Sequence, residues 1–80
     1  MHYVYLLRSV TAPEQTYVGY SADLRTRLAT HNQGGSTHTA RLRPWRLVTY
    51  LAFSTKPHAL RFEKYLKAHS GMAFAAKRLW

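Results

Sequence analysis

The sequence predicts an α+β fold: a three-stranded antiparallel sheet flanked by helices, in the order β-β-α-β-α-α. Three observations carry this. Two short runs rich in aromatic and β-branched residues, HYVYLLR (2–8) and TYVGY (16–20), are joined by the turn-rich segment SVTAPEQ. A third run of the same kind, WRLVTYLAF (45–53), follows a loop. Apolar residues recur at helical spacing in two other places, at Leu24 and Leu28 and again at Ala59, Phe62 and Leu66.

Each element follows from local chemistry. Side chains alternate along a strand, so Tyr3, Tyr5 and Leu7 share one face of the first. The polar connection to the second strand suits an antiparallel hairpin. Tyr17 and Gly19 share a face there, which in some registers is also that of Tyr5. Ser21 is expected to cap a helix over residues 22–32, with Asp23 at its positive end. Arg27 and His31 lie one turn apart on it. Asn32-Gln33-Gly34-Gly35-Ser36 should end that helix, and the chain through Pro44 (GGSTHTARLRP) reads as loop. Thr55 is expected to cap the next helix, with Pro57 tolerated in its first turn. Gly71 is expected to stop it. The segment AFAAKRLW (73–80) should form a short last helix.

Eighty residues bound the chain to one small domain, spanning 1–80. Twelve Lys and Arg against three acids give a net charge of +9, a composition suited to polyanionic partners. No cysteine is present, which excludes disulfides and thiolate metal sites and fits a reducing, cytoplasmic setting. The one early apolar run, Tyr3–Leu7, is too short for a signal peptide or a membrane span. A basic membrane-surface helix is also a poor reading, because the cations are spread over loops and three helices.

Five segments then recur in a telling order: YVY (3–5), YVG (17–19), DLRTRLATHN (23–32), RPWRLV (43–48) and ALRFEKYLK (59–67). Together they resemble the GIY-YIG nuclease superfamily, in particular its small stand-alone bacterial members, over nearly the whole chain. The resemblance implies a domain that cuts DNA phosphodiester bonds with one divalent cation, usually Mg²⁺, with Mn²⁺ as a substitute. It places Tyr5 and Tyr17 at the signature tyrosines, Arg27 at the catalytic arginine, His31 at a common histidine one turn on, and Glu63 at the metal-binding glutamate. Three departures stand out. Tyr3 replaces the first signature glycine, Tyr20 stands where some relatives carry a lysine, and a late asparagine of the homing-endonuclease branch has no counterpart.

The residue types suit that chemistry on their own terms. Phosphodiester hydrolysis needs an activated water and neutralisation of a pentavalent phosphate. A phenol beside a cation can take a proton, a guanidinium forks onto phosphate oxygens, and a lone carboxylate can share Mg²⁺ with waters and phosphate. Each also has a plain structural reading. Tyr5 and Tyr17 can be sheet-packing residues, Arg27 a solvated helix charge, His31 a helix C-terminal cap, and Glu63 a surface ion-pair partner. Gly19 is expected to allow a close approach of the backbone. Arg41, Arg43, Arg46, Lys64, Lys67 and Lys77 make up the expected nucleic-acid footprint. Trp45 is expected to pack at the start of its strand, and His2, His38, His58 and His69 to lie at the surface. The expected partner is DNA, with RNA a further candidate, no membrane, and room for a protein partner that supplies targeting. The competing expectation is a non-catalytic basic nucleic-acid-binding module of the same fold.

Overall fold

In the computed structural model, which describes residues 1–80, the strand β1 (His2–Ser9) is the hub of the sheet. β2 (Thr16–Ser21) lies antiparallel on one side of it and β3 (Trp45–Phe53) antiparallel on the other, giving the order β2-β1-β3. The helices are α1 (Leu24–Asn32), α2 (Lys56–Lys67) and α3 (His69–Arg78), so the predicted element order holds.

Register fixes what the sequence left open. Tyr5 pairs with Gly19 and Leu7 with Tyr17, so all four residues share a face. On the other side Leu6 opposes Thr49 while Leu7 opposes Leu47, which leaves Val48 as the extra residue of a bulge. The bulge lets Leu47 and Tyr50, three residues apart, both turn to the face of Tyr5.

The central strand is buried on both sides. Val4 and Leu6 pack with Ala59, Leu66 and Ala75 under α2 and α3. Tyr5 and Leu7 pack with Trp45 on the opposite face, with Tyr17, Leu24, Leu28, Leu42 and Leu47 around them. The chain end is tied back to the sheet, since Thr49 Oγ1 donates to the Leu79 carbonyl at 2.5 Å and the Arg8 guanidinium lies 5.2 Å from the Trp80 ring centre.

Several boundaries differ from expectation for physical reasons. Asp23, not Ser21, is the N-cap of α1: its carboxylate accepts from the Thr26 backbone N–H at 3.1 Å. Ser21 instead braces the cap, accepting from the Asp23 N–H and donating to its carbonyl, both at 2.9 Å. The loop before Pro44 contains a 3₁₀ turn over Ala40–Leu42. Thr55 caps α2 as expected, through the His58 N–H. Gly71 stops nothing. α2 already ends at Ala68, whose backbone is extended, and Gly71 lies buried in the first turn of α3. There a Cβ would strike the Tyr65 carbonyl oxygen and approach its carbon to 2.5 Å. The missing side chain permits helix–helix contact rather than a left-handed turn.

Candidate active site

β1 supplies Tyr5, β2 supplies Tyr17, α1 supplies Arg27 and His31, and α2 supplies Glu63. The first requirement is room for Tyr5. Its cross-strand partner is Gly19, and a Cβ there would collide with the Tyr5 hydroxyl, approach its Cζ to 2.5 Å and come within 2.9 Å of Tyr17 Cε2. Gly19 therefore serves the packing of the two tyrosines rather than an approach by helix or phosphate.

The second requirement is a fixed α1. At its start stands the Asp23 cap. At its end Asn32 grips the backbone of Trp45 from both sides, with Oδ1 accepting the N–H at 2.5 Å and Nδ2 donating to the carbonyl at 3.2 Å. This clamp joins α1 to the start of β3 and sets where His31 points.

His31 points inward, not to the helix C-terminus. It is only 1% exposed, as is Tyr5, and the Tyr5 hydroxyl meets His31 Nε2 at 2.9 Å. The other ring nitrogen, Nδ1, is 2.8 Å from the hydroxyl of Thr39. Tyr17 is half-buried beside them, its ring centre 5.1 Å from that of His31 and 6.3 Å from that of Tyr5. Trp45 packs at the strand start as expected, buried and donating from Nε1 to the Thr39 carbonyl at 2.9 Å.

Electrostatics bind the cluster together. Burial pushes the Tyr5 phenol well above its ordinary value, and the neighbouring Tyr17 adds to the shift. Arg27 opposes it and Glu63 reinforces it, so both charges are felt at the Tyr5 hydroxyl. His31 is lowered from its ordinary value by burial first and by Arg27 second. Both groups are thus held neutral. Arg27 itself is exposed on α1, free to meet an incoming anion.

Glu63 is the acid of this region. Asp23 is engaged as a cap and Glu14 lies between β1 and β2. The Glu63 side chain is 20% exposed, and its carboxylate lies 3.1 Å from Lys67 Nζ. No three His, Asp or Glu residues gather in one place. One carboxylate completed by water and phosphate oxygens is a donor set that suits Mg²⁺ and would leave zinc under-coordinated.

The basic residues are exposed and spread over several elements. Lys64 and Lys67 flank Glu63 on α2, and Lys77 closes α3. Arg41 lies in the 3₁₀ turn, and the Arg43 guanidinium rests against Gly34, which has a positive φ of 81°. Arg46 pairs with Arg8, on the face of α2 and α3 rather than that of Tyr17. His38, His58 and His69 are exposed, but His2 is half-buried, with Nδ1 2.8 Å from the Tyr20 hydroxyl. Thr39 and Asn32 build the site without standing out in the sequence. Asn32 offers a signal, as a helix-end amide next to His31; Thr39 offers none beyond a hydroxyl in a loop.

The sequence pattern of the GIY-YIG catalytic domain matches residues 1–75. The chain belongs to the GIY-YIG family. It is 39% identical over 70 residues to a UPF0213 protein of Staphylococcus haemolyticus, a match covering 86% of this chain and 83% of that protein. It is 43% identical over 65 residues to a structure-specific endonuclease subunit of Talaromyces marneffei, covering 74% of this chain but 17% of that protein. The chain thus spans roughly a fifth of the fungal relatives' length. Among solved structures, the solution structure of a UPF0213 protein from Bacillus halodurans superposes with a TM-score of 0.56 at 32% identity, covering 95% of this chain and 82% of that one. The GIY-YIG resemblance read from the five sequence segments is therefore confirmed.

Proposed function

We propose that this chain is a Mg²⁺-dependent endonuclease that hydrolyses phosphodiester bonds of DNA. The observation that supports the reading is the packing of Tyr17 and the Tyr5–His31 pair together, with the charges of Arg27 and Glu63 both acting on the Tyr5 hydroxyl. Family membership supports the same conclusion. In this reading Tyr17, the more accessible tyrosine, takes the proton of the attacking water. The exposed fork of Arg27 holds the non-bridging oxygens of the scissile phosphate as charge builds on them. Tyr5 and His31, buried against each other, assist by orienting Tyr17. Glu63 would hold the cation, whose positive charge on the phosphate would favour attack.

The fungal relatives are named as structure-specific endonuclease subunits. We extend that property to this chain: the substrate is chosen by DNA shape, and a protein partner supplies targeting. Eighty residues offer little surface for reading bases, whereas a charge of +9 suits backbone contact, here to DNA in the cytoplasm. Arg41 and Arg43 contribute to that contact from the loop before β3, and Lys64, Lys67, Lys77 and Arg46 from the sheet face that carries α2 and α3.

The test is cleavage of labelled single-stranded, duplex, flap and branched DNA, and of RNA, in Mg²⁺, Mn²⁺ or EDTA. Cleavage of at least one DNA structure is expected, abolished by EDTA. Glu63→Gln and Tyr17→Phe should remove cleavage and leave DNA affinity intact. Arg27→Ala should lower kcat by about 10²–10³-fold. If no substrate is cut and the variants change only affinity or melting temperature, the protein is a binding module.

A further inference from the structure

Three buried polar groups share one proton path. The Tyr5 hydroxyl is buried, and it is paired when it donates to a neighbour that can accept. That neighbour is His31 Nε2, 2.9 Å away. A ring nitrogen that accepts carries no hydrogen, so a donating Tyr5 would put the imidazole proton on Nδ1, which faces Thr39 Oγ1 at 2.8 Å. The Thr39 hydroxyl then has its own hydrogen to place, and the Ser36 carbonyl lies 3.4 Å away. Thr39 is 1% exposed, and its carbonyl accepts the Trp45 indole N–H. No buried side-chain polar atom is left without a partner.

We propose that Thr39 is a positioning residue for the hydrolytic reaction: its hydroxyl selects the Nδ1–H tautomer of His31 and so locks the Tyr5 O–H inward as a donor. The consequence is felt at Tyr17. With its hydrogen directed at His31, the Tyr5 oxygen keeps lone pairs for accepting a bond from Tyr17 or from the water. In the other tautomer Nε2–H would face the Tyr5 hydroxyl, whose hydrogen would have to turn away from His31. It would then compete as a donor near the atom that must accept the water's proton. The inference rests on the nuclease reading for its effect on rate, and on the hydrogen-bond geometry alone for the tautomer.

Two measurements separate those dependencies. The nitrogen NMR shifts of the His31 ring report the tautomer in the folded protein without any substrate. The parent and Thr39→Ser should show a protonated Nδ1 and a bare Nε2, and Thr39→Val should lose that preference. In single-turnover cleavage, Thr39→Val should lower kcat by about 10-fold to 100-fold, as loss of an orienting partner does elsewhere. KM for DNA should be unchanged, and Thr39→Ser should restore the rate. A parent His31 protonated on Nε2 overturns the proposal even if Thr39→Val does not fold. So does a folded Thr39→Val that has changed tautomer but retains the parent kcat. If the parent cuts no nucleic acid, the nuclease reading falls and the positioning role falls with it, while the NMR result still decides the tautomer.

Discussion

The two faces of β1 solve the burial problem in different ways. Toward α2 and α3, Val4 and Leu6 meet Ala59, Leu66 and Ala75, an interface whose buried centre is apolar, with the Thr49–Leu79 hydrogen bond at its edge. Toward α1, Tyr5 is as deeply buried but ends in a hydroxyl that must be paired, and His31 and Thr39 complete the pairing. Apolar packing is non-directional, so the first face tolerates small shifts at a graded energetic cost. Hydrogen bonds between buried groups specify orientation, and leaving one unmade costs about 1–3 kcal/mol. The polar face is the one next to Tyr17 and Arg27. On the proposed function, stability and chemistry are divided across a single strand, residue by residue.

The division is broken most severely from the apolar side. Leu66 is 2% exposed in the first cluster. Leu66→Ala should cost about 2–5 kcal/mol in denaturant unfolding, because the lost side chain leaves a cavity. Cleavage per folded molecule, measured well below the melting temperature, should stay near the parent value. A large fall in kcat in fully folded protein would show that the two faces are coupled.

Gly19→Ala tests the polar side. The new Cβ would press on two rings, at 2.5 Å from Tyr5 Cζ and 2.9 Å from Tyr17 Cε2. Overpacking of this kind costs about 1–3 kcal/mol. Here activity should fall out of proportion, since the same push parts Tyr5 from His31. A Gly19→Ala variant that is less stable but fully active would contradict the assignment of precision to this face.

A pH titration sharpens the comparison further. His31 is lowered in the folded state from an ordinary value of 6.5, chiefly by burial. The unfolded chain therefore binds a proton at His31 at a pH where the native state does not. Stability should fall as pH drops below about 6.5 and stop falling, for this residue, below its lowered native value. The slope contributed is at most about 1.4 kcal/mol per pH unit. Denaturant midpoints at several pH values should show it in the parent, and His31→Gln should flatten it. Equal slopes in both proteins would mean that His31 is not held neutral.

The same contrast explains what can be read from the sequence. The strands, the hairpin, the Thr55 cap and the stripe Ala59, Phe62, Leu66 are local patterns with local causes, and they stand as expected. Tyr5, Tyr17, Arg27 and Glu63 are legible as a set because five segments match one family in order. Their meeting is not legible, since Tyr5 and His31 are separated by 26 positions and both residue types occur as readily at surfaces. Gly71 misleads because a glycine that ends a helix and one that admits a neighbouring helix look alike in one dimension. Thr39 lies in an unpatterned loop, and only its contact with His31 gives it a role.

The smallest effect concerns the carboxylate that the polar site borrows from α2. Glu63 and Lys67 form an i, i+4 pair at 3.1 Å, with the lysine side chain 53% exposed. Exposed helix pairs of this kind contribute about 0.3–0.5 kcal/mol, and alanine and lysine differ little in helix propensity, so Lys67→Ala should hardly change the melting temperature. Its effect should appear in the cation requirement. With Glu63 as the proposed cation ligand, Lys67 would compete with the metal for the same carboxylate, and removing about 0.5 kcal/mol of competition would tighten binding about twofold. The half-saturating Mg²⁺ concentration for cleavage should therefore fall by about that factor. Saturating DNA is needed, so that any lost phosphate contact by Lys67 is not mistaken for the metal effect. An unchanged Mg²⁺ requirement in Lys67→Ala, together with normal cleavage by Glu63→Gln, would move the cation away from α2 and leave Glu63 as an ordinary surface acid.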